Sequence, residues 1–169
     1  MNNNQRIAIS VLVLSAGAFT KLLLEENYTG TAIIPTKGDV PTVGFGMTQR
    51  PDGSPVRMGD TTTPAEAVKR SLAYLDNQTT QLKRCVKVPL HQAEFDTMEN
   101  FGYQYGINAL CKSSIVALAN KGDYVGSCRA YLAYKYSAGY DCSTPGNKRC
   151  RGVWTRQQER FKTCMEAQQ

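Results

Sequence analysis

The apolar positions of this chain fall into three regimes. Residues 7–20 (IAISVLVLSAGAFT) run without a charge, and Lys21 then precedes Leu22, Leu23 and Leu24. Residues 25–62 break into short β-branched runs at 31–34 and 42–45, separated by Lys37-Gly38-Asp39 and Pro51-Asp52-Gly53. That pattern predicts a small sheet of two or three strands joined by turns. At Thr63 the period lengthens. Thr63-Pro64-Ala65-Glu66 is a capping box with proline at the first helical position. Ala65, Val68, Leu72 and Leu75 follow at three- and four-residue steps, predicting a helix with one apolar face. More helices are expected over about 90–104, with Phe95, Met98 and Phe101 on a face, and over 113–120, 124–136 and 155–166. A helix, a small β region and then a helical bundle make an α+β fold. The expected organisation is an N-terminal segment, residues 1–24, followed by one domain over residues 25–169.

The first segment admits three readings. Ala16-Gly17-Ala18 has the small-x-small look of a signal-peptidase site. The run is also short of the roughly 20 apolar residues that span a bilayer, so an uncleaved, loosely held signal-anchor is the second reading, extended to Leu24 if Lys21 snorkels. An ordinary core helix is the third. Arg6 and the amino terminus on one side, against Lys21, Glu25 and Glu26 on the other, favour an N-terminus inside and the rest exported. The signal-anchor is the reading adopted as the expectation.

Composition narrows the compartment and the partners. Of 169 residues, 41% are apolar and 20% charged, which excludes a wholly disordered chain. A net charge of +6 favours anionic partners without choosing among them. No Lys/Arg cluster interleaves with aromatics along one element, so nucleic acid is not expected as a partner. His91 is the single histidine, which excludes a multi-His metal site. Cys85, Cys111, Cys128, Cys142, Cys150 and Cys164 contain no C-x-x-C pair. Such a set reads as three disulfides formed in an oxidising compartment. Spacing leaves their connectivity open, although Cys142 and Cys150 bracket a Ser-Thr-Pro-Gly-Asn turn and are the natural local pair.

Two acidic residues close the apolar stretch. Glycoside hydrolysis needs one carboxylic acid held protonated for the leaving oxygen and a second group for water or the oxocarbenium-like state. Glu25 or Glu26, beside Leu22, Leu23 and Leu24, meets desolvating neighbours of the kind that favour a protonated acid. Asp39 and Thr42 lie on a turn and the following strand, and a hairpin would fold both back over the glutamate. By spacing alone each of these residues is as well explained by a solvated helix end or an ordinary Gly-Asp turn.

The ordered motifs carry more. Glu26-Asn27-Tyr28, followed by Ile34-Pro35-Thr36-Lys37-Gly38-Asp39-Val40-Pro41-Thr42-Val43-Gly44-Phe45-Gly46, resembles the active-site hairpin of phage-type lysozymes, the T4-lysozyme-like endolysins. Gln92-Ala93-Glu94-Phe95-Asp96 and Phe101-Gly102-Tyr103-Gln104-Tyr105-Gly106 are similar to that family's buried helix. Cys111-Lys112-Ser113-Ser114-Ile115, Lys121-Gly122-Asp123-Tyr124 and Gly152-Val153-Trp154-Thr155-Arg156, with Glu159 and Arg160, follow in the family's order. The N-terminal segment resembles the signal-anchor-release segment of lambdoid phage endolysins.

The resemblance implies a lysozyme-like fold and a cofactor-free, metal-free, monomeric muramidase. Such an enzyme cuts the β-1,4 bond between N-acetylmuramic acid and N-acetylglucosamine in host peptidoglycan. It implies export to the host periplasm, with the N-terminal segment tethered to the host inner membrane before release. Glu26 takes the position of the general acid and Thr42 that of the threonine that holds the attacking water. Asp39 takes the aspartate's role from three residues before Thr42. The more usual spacing is six, a position held here by Thr36. Glu25 is displaced by one residue from the motif. Tyr103 and Ser114 match positions that contact sugar. Arg156 and Arg160 are open to two readings, pairing with acidic partners or peptidoglycan, or a solvated helix face. The implied disulfides are Cys85–Cys111, Cys128–Cys164 and Cys142–Cys150. Two rivals stay open: a lytic transglycosylase, which uses a lone glutamate and needs no aspartate, and a wall-binding protein without activity.

Overall fold

Thr63 opens the longest helix of the computed structural model, which describes residues 5–35 and 38–169. Its backbone N–H and hydroxyl both donate to Glu66 Oε2, and the Glu66 N–H donates back to Thr63 Oγ1 at 3.3 Å, the reciprocal cap the sequence predicts. The element order is α1 (Ala16–Glu26), β1 (Thr29–Ile33), β2 (Thr42–Gly44), α2 (Pro64–Cys85), α3 (Gln92–Tyr105), α4 (Ile107–Cys111), α5 (Ser114–Ala119), α6 (Tyr124–Ala130), β3 (Tyr136–Ser137), β4 (Tyr140–Asp141) and α7 (Arg151–Glu166). This is the α+β arrangement expected. The chain divides into two units: Ser15–Gln78, and the residues up to Leu14 together with Thr79–Gln169.

In the first unit, β1 and β2 form an antiparallel hairpin with Thr29 opposite Gly44 and Ile33 opposite Thr42. Residues 60–62 run along the other edge of β1, where Ala32 N–H donates to the Asp60 carbonyl and Thr62 N–H to the Gly30 carbonyl. Tyr28 staples this layer. Its hydroxyl donates to the Thr62 carbonyl at 2.6 Å and its ring packs 5.5 Å from that of Phe45. Ala32, Val43 and Val56 form the small core beneath. In the following loop Arg50 grips Asp60 through two 2.7 Å hydrogen bonds, which, with a bond from the Arg57 N–H, hold the Asp60 carboxyl down at about 2.

The second unit is built on the buried face of α3. Phe95, Met98 and Phe101 are buried, as their spacing predicts, among Leu82, Leu90, Leu110, Ile115 and Tyr131. Phe101 stacks on Tyr105 at 4.5 Å and meets Tyr134 edge-on at 4.7 Å. The disulfides pair Cys85 with Cys111, Cys128 with Cys164 and Cys142 with Cys150, the same three pairs that the resemblance implies.

The apolar run at residues 7–20 is not one helix. Ile7 bridges to Leu90, residues 9–11 make a single 3-10 turn, and the chain is extended at Leu12 and Ser15. Ser15 then caps α1, its hydroxyl accepting from the Ala18 N–H. A helix-capping residue inside the run splits it, so among the described residues no helix is long and apolar enough to cross a membrane. The piece before Ser15 is fastened to the second unit. Leu12 enters its core, and Gln92 Nε2 donates to the Val13 carbonyl at 2.8 Å. Arg6 reaches Glu94, whose side chain is 2% exposed, through bonds of 3.0 and 3.2 Å. The Arg6 guanidinium also lies 3.5 Å above the Tyr124 ring and donates to Gln168 Oε1. Arg6→Ala leaves a buried carboxylate without its cation, and urea unfolding is expected to register a loss of about 3 kcal/mol. Residues 1–4 lie outside the described residues.

Several other elements differ from expectation. The buried ladder of α2 is Ala67, Ser71, Leu75, Gln78 and Leu82, while Ala65 and Leu72 face solvent. The helix expected over 124–136 stops at Ala130, passes through a 3-10 turn and gives way to the β3–β4 hairpin. Ala138 and Gly139 both hold positive φ there, +47° and +80°, as a two-residue turn with right-handed strand twist demands. The last helix starts at Arg151, four positions earlier than Thr155, just after Cys150 is anchored to Cys142. Arg160 is not on a solvated face. It is 3% exposed and donates to Asn100 Oδ1, Gln104 Oε1 and Gln157 Oε1.

Candidate active site

Glu26 is the last residue of α1. Asn27 follows with φ +55° and ψ +149°, a positive-φ conformation outside the left-handed helical region, and sends the chain into β1. The glutamate therefore stands at the corner where the helix meets the hairpin. Its carboxylate lies over the backbone just past the end of β2: a Cβ placed on Gly46 would sit 3.1 Å from Glu26 Oε2. Gly46 also holds φ +73°, so two separate constraints favour glycine there. The sequence reading gave Gly46 no role. Its signal was the Gly44-Phe45-Gly46 spacing, in which both glycines take positive φ. Gly46→Ala strains the turn and crowds the carboxylate. The expected outcome is a loss of activity of at least tenfold with a stability loss of about 1 kcal/mol, read from clearing rates and denaturant melts.

The two adjacent glutamates have different surroundings. Glu25 lies 3.7 Å from Lys21 one turn back on α1, an i,i+4 ion pair. Glu26 faces the Gly46 backbone instead. The apolar shield suggested by three leucines is thinner than expected: Leu22 is 1% exposed but Leu24 is 75% exposed.

Thr42 is the first residue of β2, half-buried and opposite Ile33. Asp39 is exposed, in the connection that follows Gly38 and precedes Pro41. Thr36 and Lys37 lie outside the described residues. Glu26, Asp39 and Thr42 thus all belong to the helix-hairpin unit. The sugar-contact candidates belong to the second unit: Tyr103 is half-buried on α3, and Ser114 is exposed at the start of α5, which the Ser113 hydroxyl caps.

The chain thus carries a helix that ends in glutamate, a short antiparallel hairpin that carries threonine, and a disulfide-braced helical unit. The phage lysozyme family matches this chain over residues 26–160, and the chain belongs to that family of peptidoglycan-cleaving enzymes. Its sequence is 29% identical over 134 residues to the endolysin of Salmonella phage P22, covering 78% of this chain and 88% of that one. The fold is shared with the endolysin of Escherichia coli O157:H7 phage FAHEc1, at a TM-score of 0.77 and 24% identity over 93% of this chain and 96% of that one. It is shared too with the muramidase domain of SpmX from Asticaccaulis excentricus, at a TM-score of 0.73 and 17% identity over 91% and 98% of the two chains.

Proposed function

We propose that this chain is an endolysin acting as a muramidase, hydrolysing the β-1,4 bond from N-acetylmuramic acid to N-acetylglucosamine in periplasmic peptidoglycan. The observation that carries this reading is the seat of Glu26 at the helix-hairpin corner, its carboxylate against Gly46 and on the same hairpin unit as Thr42. In this scheme Glu26 protonates the glycosidic oxygen as the bond to the anomeric carbon breaks. The Thr42 hydroxyl and the Asp39 carboxylate hold the water that attacks the oxocarbenium-like centre. The attacking water gives up its proton to the Asp39 carboxylate, which releases it to solvent, and Glu26, left as carboxylate, recovers a proton from solvent. No metal or cofactor enters. Tyr103 and Ser114 contact the saccharide, and the enzyme works as a monomer.

The charge-free run at residues 7–20 supports a stage tethered to the host inner membrane before the fold described here is reached. In the folded form the same stretch delivers Leu12 to a core and leads into α1, whose end is Glu26.

Asp39 is the most exposed member of the set, and its exposure favours one competing reading, a lytic transglycosylase that dispenses with it. Asp39→Asn and Thr42→Ala separate the two. The muramidase reading expects each to lose at least about tenfold in clearing rate while keeping the wild-type melt, since each helps to position the attacking water. Full activity in both variants would leave Glu26 working alone and favour the transglycosylase.

A further inference from the structure

Basic residues gather on the second unit. Lys83 and Arg84 stand in the last turn of α2, Lys87 just past it, Lys112 at the end of α4 and Lys121 after α5. The fold draws them together through their neighbours. The Cys85–Cys111 bridge, with Cα atoms 5.6 Å apart, joins the residue after Arg84 to the residue before Lys112. Asn120, the residue before Lys121, donates to the Cys85 carbonyl at 2.8 Å and accepts from the Lys87 N–H at 2.7 Å. Arg84, Lys87, Lys112 and Lys121 are all exposed, and among the described residues none of the four is in an ion pair. Asp123, two residues past Lys121, accepts from the Gly126 N–H as the cap of α6. Lys83 Nζ donates to the Ser10 carbonyl at 3.0 Å and so seats the cluster against the N-terminal stretch. There the chain alternates. Leu12 is 2% exposed and held in the core, while Val11 and Val13 on either side of it are 66% and 64% exposed.

We propose that this face is a peripheral docking surface by which the folded chain rests on an anionic phospholipid bilayer. The cations meet the phosphate headgroups, and Val11 and Val13 enter the boundary between headgroups and acyl chains. The valines choose the occupant. A dissolved polyanion uses the charges alone, whereas a lipid surface also takes up apolar side chains exposed beside them. The contact is not a span: Leu12 stays in the core and Arg6 stays on Glu94. It belongs to the folded form and depends neither on a tethered stage nor on the catalytic scheme.

The test is co-sedimentation of the oxidised, folded chain with vesicles of phosphatidylcholine, alone or with about 30% phosphatidylglycerol as the anionic lipid. Thermal melts exclude misfolding in each variant. The wild type is expected to bind the anionic vesicles, to leave the neutral ones, and to come off in about 1 M salt, which screens surface charge. Each cation near an anionic surface is worth about fivefold in affinity, so the triple variant Arg84→Gln, Lys87→Gln, Lys112→Gln should lose about a hundredfold. A control triple of equal charge change, Lys69→Gln, Lys148→Gln, Arg151→Gln, should lose less than a tenth as much. Val11→Ser with Val13→Ser should lose about tenfold with every charge in place. Wild-type binding that is absent, or equal on both vesicles, overturns the proposal, and so does an equal loss in the two triples. Indifference to the valines means a polyanion site and overturns the lipid assignment. Retention in high salt means insertion of the N-terminal segment and overturns peripheral docking.

Discussion

Glu26→Gln is expected to lose between about 10²- and 10⁴-fold of the peptidoglycan-clearing rate, the usual contribution of a general acid. The amide keeps the size of the side chain but has no proton to give to the glycosidic oxygen. The Gly46 backbone that receives the carboxylate is equally able to receive an amide, so the variant should fold as the parent does. Glu25→Gln supplies the contrast. It removes half of an i,i+4 pair with Lys21, a loss of about 0.5 kcal/mol at most, and leaves the clearing rate within a factor of two. Turbidity assays on purified sacculi, paired with thermal melts, check both. A Glu26→Gln variant with normal clearing would remove the residue on which the catalytic scheme rests.

The second large effect is on stability. Cys128 and Cys164 are both buried and join α6 to α7 across 36 residues of chain. The chain-entropy estimate for a loop of that length is about 4 kcal/mol, against about 2.5 for the local Cys142–Cys150 bridge eight residues apart. Native stabilities of about 5–15 kcal/mol leave little margin for such a loss. The Cys128→Ala, Cys164→Ala double variant is therefore expected to melt about 10 °C or more below the parent. Removal of Cys142–Cys150 should cost visibly less. Calorimetry of the two double variants checks the order. By the same reasoning a reducing compartment would cost this chain three bridges, one of which ties the last helix to the rest of its unit.

How much of this was legible from the chain alone depends on what each signal was. The Thr63 box and the Phe95, Met98 and Phe101 spacing announced α2 and α3 correctly, because caps and apolar periodicity are local properties. The buried face of α2 was legible only in part: Leu75 is buried and Val68 half-buried, as the spacing predicts, but the rest of the face was missed. It includes Ser71 and Gln78, and hydropathy ranks Leu72 above both although Leu72 is 45% exposed. The β3–β4 hairpin was hidden because its two-residue turn is Ala138-Gly139. An alanine at positive φ carries none of the signal that Asn-Gly would have given. The apolar run at residues 7–20 looked like one element because hydropathy outweighs its two serines, yet Ser15 is a cap and divides it.

The site shows the same division. Glu26, Asp39 and Thr42 were singled out by an ordered resemblance; composition and spacing alone did not separate them from turn and helix-end residues. The role of Gly46 needed three dimensions. Its contact with the Glu26 carboxylate joins the end of a helix to the residues just past a strand, and no local pattern encodes that approach. Arg160 carries the opposite lesson. A charged residue on a helix reads as solvated, but Asn100, Gln104 and Gln157 satisfy its donors in the interior.

The mass of the fragments released from purified peptidoglycan tests the catalytic assignment most directly. Digestion by the oxidised wild-type chain should yield muramic-acid ends that have gained one water, with N-acetylglucosamine at the new non-reducing ends. Anhydro-muramic ends, lighter by that water, would contradict it: they would mean that Glu26 works without an attacking water and that Asp39 and Thr42 have no part in the reaction.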